Sequence, residues 1–443
     1  MELQLNEAGE TQPLTAGPDR IRRRLIQAAG GALAASSLPG LAYGAASRTL
    51  KVGFVSPRTG PLAGFGECDP FVLGLARKAL AKGLRIGGKT WQVEIIDRDT
   101  QSDPARAGQL AKGLINQAHV DLMLATSTPE VVNPVSDACE AAGVPCLSTI
   151  VPWEAWYFGR GAKAGQPSPF HWTYHFCFGG GDFFKAYNSQ WNGPVKTNKR
   201  VGILYPNDAD GNAVRAHLAP ELAKAGFTIV DAGGYEDGTT DYSAQIAKFK
   251  SEECEIFNTF PIPPDFATFW RQAAQQGYTR MVKIAQIAKT GLFPSQVEAL
   301  GSLGYKLATG CYWHPTWPYK SPLTGLSSQA LGDHYEKGTG RQWNQQVGAS
   351  MALLDAGMAT LLASGNPKSK NDVAKAMSTL KVVTPVGPID FTKGPVPNVS
   401  ATPIIGSQWV KATSGKFKLA LPLTENADDP SVPIGAQLVP YNA

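Results

Sequence analysis

Hydroxyl and carboxylate side chains recur in this chain where an apolar run gives way to a turn. Thr126-Ser127-Thr128 follows the apolar run 120–125 and precedes Pro129. Hydroxyls beside the free N–H groups of a starting helix suit a carboxylate or another acceptor-rich group, and the same hydroxyls can cap the helix. Asp210 sits in Asn207-Asp208-Ala209-Asp210-Gly211. A carboxylate there suits a cationic or hydroxylated group, or serves as a helix N-cap. An EF-hand does not fit: with Gly211 at loop position six, position one is Pro206 and position twelve is His217. The Gly60–Gly66 loop could cradle a phosphate, but it lacks both the GK[ST] ending and the GxGxxG spacing. His171, His175 and Cys177 are ligand types for a metal, yet no accompanying Glu motif is present. No G-x-S-x-G elbow offers a nucleophile. Asp97 and Asp99 end a strand and read as a solvated or capping pair. No catalytic residue, no metal and no cofactor is assigned.

The elements that position these loops alternate. Apolar strand-like runs at 50–55, 91–97, 120–125 and 144–148 are each followed by a turn-rich loop, and the first three also by a helical stretch; one such stretch is 69–81. Asp103-Pro104 starts another helix by cap and first-turn proline. The rhythm stalls in the Trp/Gly/Pro-rich stretch 152–181. It restarts with strands at 200–205, 227–230, 254–258 and 281–285 and helices at 208–225, 242–250 and 264–277. A helical region runs over 327–380, and the tail from Val382 is strand-like and rich in Pro. Strand, loop, helix at this spacing predicts parallel sheets with crossover helices, in two successive units rather than one barrel.

The chain of 443 residues carries a net charge of +5, with 17% charged and 43% hydrophobic residues. That apolar fraction excludes a disordered chain, and Pro and Gly throughout exclude a coiled coil. The basic residues cluster only near the N-terminus, so nucleic acid is not an expected partner. There, Arg20-Ile21-Arg22-Arg23-Arg24-Leu25-Ile26-Gln27 precedes a weakly apolar Ala/Gly-rich run and small residues around 42–46. This is the layout of a signal peptide. Arg22-Arg23 before Leu25-Ile26 resembles the twin-arginine export motif, although Ile21 and Gln27 depart from it. Residues 1–46 are therefore expected to be an export signal and the mature protein periplasmic. No later segment reads as apolar enough to span a bilayer. Export allows disulfides among the six Cys; Cys139 and Cys146 are the closest pair and would join a helix end to the next strand, while buried free thiols are the alternative.

Several segments together resemble the periplasmic substrate-binding proteins of branched-chain amino-acid-type ABC transporters. They are Val52-Gly53-Phe54-Val55-Ser56-Pro57, Thr59-Gly60-Pro61-Leu62-Ala63-Gly64-Phe65-Gly66, the Thr126-Ser127-Thr128 loop, Arg200-Val201-Gly202-Ile203-Leu204-Tyr205 and Asp241-Tyr242-Ser243-Ala244-Gln245-Ile246. The resemblance runs from about Thr49 to Trp409. It implies an α/β fold of the type I periplasmic binding protein: two Rossmann-like lobes with parallel central sheets, joined by a three-crossover hinge. Lobe one would be 47–176 plus 315–390 and lobe two 177–314 plus 391–443. It implies a monomeric solute receptor, not an enzyme, that closes on a small molecule and delivers it to the membrane subunits of an ABC permease. The alternatives are a sensor domain of the same fold that feeds a signalling partner, and an exported α/β hydrolase.

Carried onto this chain, the resemblance places Phe65, Ser127, Thr128, Ser148, Thr149, Trp153, Asp210, Ile262 and Gln286 at the cleft. Two positions depart from the family pattern. Pro152-Trp153 follows Ser148-Thr149 where small residues and a Thr are usual, and Asp210 stands where a Tyr is usual. Trp153, Trp156, Tyr157, Trp313 and Trp317 are also available for stacking. The expected solute is amino-acid-like, aromatic or a polar amide, planar rather than leucine-like.

Overall fold

The computed structural model describes residues 48–442; the export-signal reading of 1–46 lies outside them. Two sheets organise the chain. The first has the strand order Val399–Ser400, Thr173–Phe176, Cys146–Thr149, Leu122–Thr126, Thr49–Ser56, Lys89–Asp99, Leu84–Ile86. All neighbours run parallel except the Leu84–Ile86/Lys89–Asp99 hairpin. The second has the order Ile405–Gln408, Ala308–Cys311, Ile284–Ile287, Ile256–Thr259, Arg200–Leu204, Thr228–Asp231. Only its edge strand Ile405–Gln408 is antiparallel. Leu122–Thr126, Cys146–Thr149, Ile256–Thr259 and Ile284–Ile287 are buried along their whole length. Crossover helices cover both faces of a parallel sheet, which is why these strands read as unbroken apolar runs.

The chain passes between the sheets three times: after Phe176, after Cys311 and after Ser400. The third passage corrects the boundary expected at 391. Val399 and Ser400 pair with His175 and Phe176 in the first sheet, and Phe391 packs edge-on against Tyr174 at 5.2 Å. Proline and turn residues hide a two-residue strand from any periodicity argument.

Other differences have local causes. The stretch 208–225 is two helices, Ala209–His217 and Ala219–Lys224. Pro220 has no N–H for the helical ladder and restricts the residue before it. The stretch 152–181 holds the helix Trp153–Tyr157 and the strand Thr173–Phe176. The region 327–380 is three helices, Ser328–Thr339, Gln346–Ala363 and Lys370–Ser378. Gln346–Ala363 is long and apolar enough to cross a bilayer, contrary to the sequence expectation, but 83% of it is buried inside the protein. It packs on the first sheet and on the helices Asp69–Ala79, Ser328–Thr339 and Lys370–Ser378; a helix covered on several sides needs no polar face.

Candidate functional site

In open parallel sheets, ligands bind beyond the carboxyl ends of the strands. Such loops from both sheets converge here. Ser127 and Thr128 follow the strand that ends at Thr126, and Ile150 and Pro152 follow the one that ends at Thr149. Phe260 follows Ile256–Thr259, and Ala288, Lys289 and Leu292 follow Ile284–Ile287. All of these residues line one cavity between the two sheets, together with Phe65, Phe178, Phe183 and Asp210. Gly310, Tyr312 and Ile404 complete its wall at the second and third passages. Its volume is about 40 Å³, against roughly 10–15 Å³ for one water on the same measure.

Four expected residues, Phe65, Ser127, Thr128 and Asp210, line this cavity. Thr128 is the N-cap of the helix Pro129–Ala142, yet its side chain makes no capping bond. The other Ser and Asp N-caps, Asp103, Asp208, Ser327 and Ser369, do bond into their helices, so Thr128 stands apart among capping-type residues. Ser127 Oγ, Thr128 Oγ1 and Asp210 Oδ1 are buried with no hydrogen-bond partner in the protein. Ser127 is 0%, Thr128 2% and Asp210 4% exposed. Buried polar atoms are ordinarily satisfied, so three at one cavity mark a place where a partner belongs. Backbone strain gathers at the same walls. Ser127 (φ +127°), Ile150 (φ +78°) and Lys289 (φ +28°) are three of the ten non-glycine residues with positive φ among the described residues. For a β-branched residue such as Ile150 that conformation is a real outlier, of the kind retained at ligand clamps.

Asp210 is not the N-cap; Asp208 is, accepting from Gly211 N at 2.6 Å. Asp210 instead meets Lys289, which no sequence signal linked to it. Lys289 Nζ lies 2.8 Å from Asp208 Oδ2 and 3.0 Å from Asp210 Oδ2. Burial would lower the lysine, but Asp210, Asp208 and Glu130 together hold it well above its ordinary value. It is therefore an ammonium shared by two carboxylates. Burial raises the Asp210 carboxyl and Lys289 opposes the rise.

The structure moves the other five expected residues away from the cavity wall. Ser148 Oγ lies 2.8 Å from His175 Nδ1, and His175 Nε2 lies 2.7 Å from the Val151 carbonyl. A carbonyl only accepts, so Nε2 carries the proton and Nδ1 accepts from Ser148. Burial lowers His175 to about 3, and its ring stacks on Trp156; it is a neutral core histidine, not a ligand or a base. Thr149 Oγ1 donates to the Phe176 carbonyl at 2.7 Å. Trp153 starts a short helix at the first passage, tilted against Phe158. Ile262 is the half-buried N-cap position of the helix Pro263–Gln275. Gln286 lies fully buried in its strand, its Oε1 accepting from Trp191 Nε1. Strand register places Ser148, Thr149 and Gln286 in the core, while Trp153 and Ile262 stay half-buried against it.

The remaining chemical candidates are accounted for. Asp97 is paired with Arg58 and Arg77, which outweigh its partial burial and hold it below the usual carboxylate range. Asp99 accepts from the backbone of Arg58, Thr59 and Gln101. All six Cys are free and buried, Cys139 and Cys146 included, so the bridge entertained for that pair is not formed. Among the described residues no cluster of His, Cys, Asp or Glu could hold a metal ion.

Besides Lys289, the lining residues missed by sequence reasoning include the aromatics Phe178, Phe183 and Tyr312. They form a packed set with Phe260 of the expected cleft loop 260–263: Phe178 meets Phe183 edge-on at 4.9 Å and stacks on Tyr312 at 5.4 Å, and Phe183 meets Phe260 at 5.0 Å. From the first-sheet side Phe65 meets Phe293 edge-on at 5.0 Å.

The fold has known counterparts. The family model for periplasmic binding proteins matches residues 49–399. The Leu/Ile/Val-binding protein homolog 8 of Brucella suis is 25% identical over 302 residues, 66% of this chain and 70% of that protein. The substrate-binding protein LivJ of a branched-chain amino acid transporter from Streptococcus pneumoniae, solved with isoleucine, superposes with a TM-score of 0.64 at 17% identity, covering 85% of this chain and 100% of that one. An ABC-transporter solute-binding protein of Rhodopseudomonas palustris, solved with 3,4-dihydroxybenzoic acid, gives 0.66 at 17% identity over 85% and 98%. With two mainly parallel sheets crossed three times and a family match over most of its length, the chain belongs to the periplasmic binding protein family.

Proposed function

We propose that the protein is the solute receptor of an ABC transporter that traps a small planar molecule between its two lobes and hands it to a membrane permease. As a member of its family it is a receptor and not an enzyme. The observation that carries the reading is the inter-sheet cavity itself: two buried hydroxyls without partners, facing a wall of Phe and Tyr. Flat aromatic walls favour a ring over a branched aliphatic side chain. Of the two ligand-bound proteins compared above, one holds isoleucine and the other 3,4-dihydroxybenzoic acid; the aromatic lining here aligns the reading with the second shape. Periplasmic delivery by the twin-arginine motif is part of the same proposal.

A cavity of about 40 Å³ cannot take a ring unless its walls part, so binding requires the lobes to open and reclose. The test is a panel of small amino acids, arenes and amides read by thermal shift, since a molecule that binds only the folded state raises the melting temperature. Because the ligand-free protein must populate opened lobes for a ring to enter, a ligand found this way should also shrink the radius of gyration relative to that opened ensemble in small-angle scattering. A panel in which nothing shifts the melting point, or only leucine-like amino acids do, overturns the planar-solute reading.

Thr128→Val separates binding from folding. The hydroxyl is 2% exposed and unpartnered, so its removal should leave ligand-free stability unchanged or slightly raised. Affinity should fall by about 0.5–1.5 kcal/mol for a neutral partner, measured by calorimetry. A variant that loses stability but keeps its affinity would show the hydroxyl to be structural.

A further inference from the structure

We infer, resting on the receptor reading above, that Asp210 and Lys289 make the cleft a charge filter that admits a neutral planar carboxamide and rejects the matching carboxylate. Three cavity-lining polar atoms lack a protein partner: Ser127 Oγ, Thr128 Oγ1 and Asp210 Oδ1. A hydroxyl can donate or accept, but a carboxylate oxygen only accepts. A solute that satisfies all three must present a donor to Asp210, and Ser127 and Thr128 are free to donate to an acceptor on the same molecule. A carboxamide carries both on one rigid plane: its C=O accepts from the hydroxyls, and its N–H donates to Asp210 Oδ1.

Charge makes the same selection. Lys289 is already shared between Asp208 and Asp210, and Glu130 and Asp237 lie within electrostatic reach of the pair. One ammonium thus faces four carboxylates. An unsubstituted arene carboxylate entering this field brings a further anion and no donor for Asp210, and like charges at close range in a buried site repel strongly. An α-amino acid supplies a donor but also brings a full carboxylate. Lys289 acts through Asp210 as a positioning residue: it keeps a carboxylate tolerable at a site that is 4% exposed.

The experiment is titration calorimetry of the mature protein with benzamide, benzoate and L-phenylalanine, which share a ring and differ in head group. Benzamide should bind at least tenfold more tightly than benzoate and more tightly than L-phenylalanine. Asp210→Asn removes the anion and supplies an N–H. It should weaken benzamide, tighten benzoate and shrink their ratio at least tenfold, with the fold verified by circular dichroism. Benzoate or L-phenylalanine binding as well as benzamide overturns the filter, as does a ratio that Asp210→Asn leaves unchanged. If none of the three binds, the carboxamide assignment falls, whereas the receptor reading falls only if the wider panel is also silent. Should Asp210→Asn fail to fold, the benzamide-to-benzoate ratio of the unaltered protein decides.

Discussion

Lys289→Met should be the most damaging single change at the cleft, costing about 3–5 kcal/mol of stability, the usual penalty for removing one partner of a buried ion pair. The side chain is 7% exposed and bridges Asp208 and Asp210. Without it, the buried Asp210 and the partly buried Asp208 carboxylates face each other with Glu130 and Asp237 near. Burial already raises the Asp210 carboxyl to about 7, above the unfolded value of about 3.9, and without the lysine that rise is unopposed. A carboxyl whose folded pKa is raised contributes stability at low pH and loses it as pH climbs through the folded value. The melting-temperature deficit of the variant should therefore be large at pH 8 and shrink toward pH 5. A deficit that is constant across that range, or absent at pH 8, would show that the lysine does not neutralise the pair. Solute affinity should fall along with stability, because Asp210 regains a proton when its counter-charge is gone.

Gly348→Ala should destabilise the protein by about 3 kcal/mol, at the upper end of the usual overpacking cost, and lower the melting temperature on the order of 5 °C. A Cβ at this position of the helix Gln346–Ala363 would lie 2.0 Å from Trp313 Cγ. Trp313 has no room to yield. It is fully buried, donates to Ser328 Oγ at 3.2 Å and meets Trp343 edge-on. Its neighbour Tyr312 lines the cavity and donates its N–H to Gln345 Oε1 at 2.8 Å, so the strain reaches the binding wall and affinity should drop too. Gly74→Ala is the matched control. It lies in the helix Asp69–Ala79 with nothing within 4 Å of the added carbon, and it should stabilise by about 0.5–1 kcal/mol. Thermal unfolding of the two variants should move in opposite directions. Equal shifts would refute the packing argument.

The sequence by itself determined the architecture and the first half of the site. Apolar runs such as Leu122–Thr126, each ending in a hydroxyl- or proline-marked loop, are local features, and local periodicity reads them well. Ser127 and Thr128 were legible because a strand end, two hydroxyls and a helix-starting proline lie within four residues. What they do was not legible: capping and binding use the same side chains, and only the rotamer at Thr128, with no capping bond, separates them. The other half was decided by tertiary structure. Lys289 reaches its partner Asp208 across 81 positions of sequence, and nothing near either residue marks the pairing. Phe178, Phe183 and Tyr312 look like any core aromatic until three passages of the chain bring separate loops to one cavity. Trp153 and Gln286 show the converse, since each lies in a segment of the expected kind yet is not among the residues lining the cavity. Which residues share a wall depends on register and lobe approach, set by the summed burial of hundreds of side chains, and no single segment carries that information.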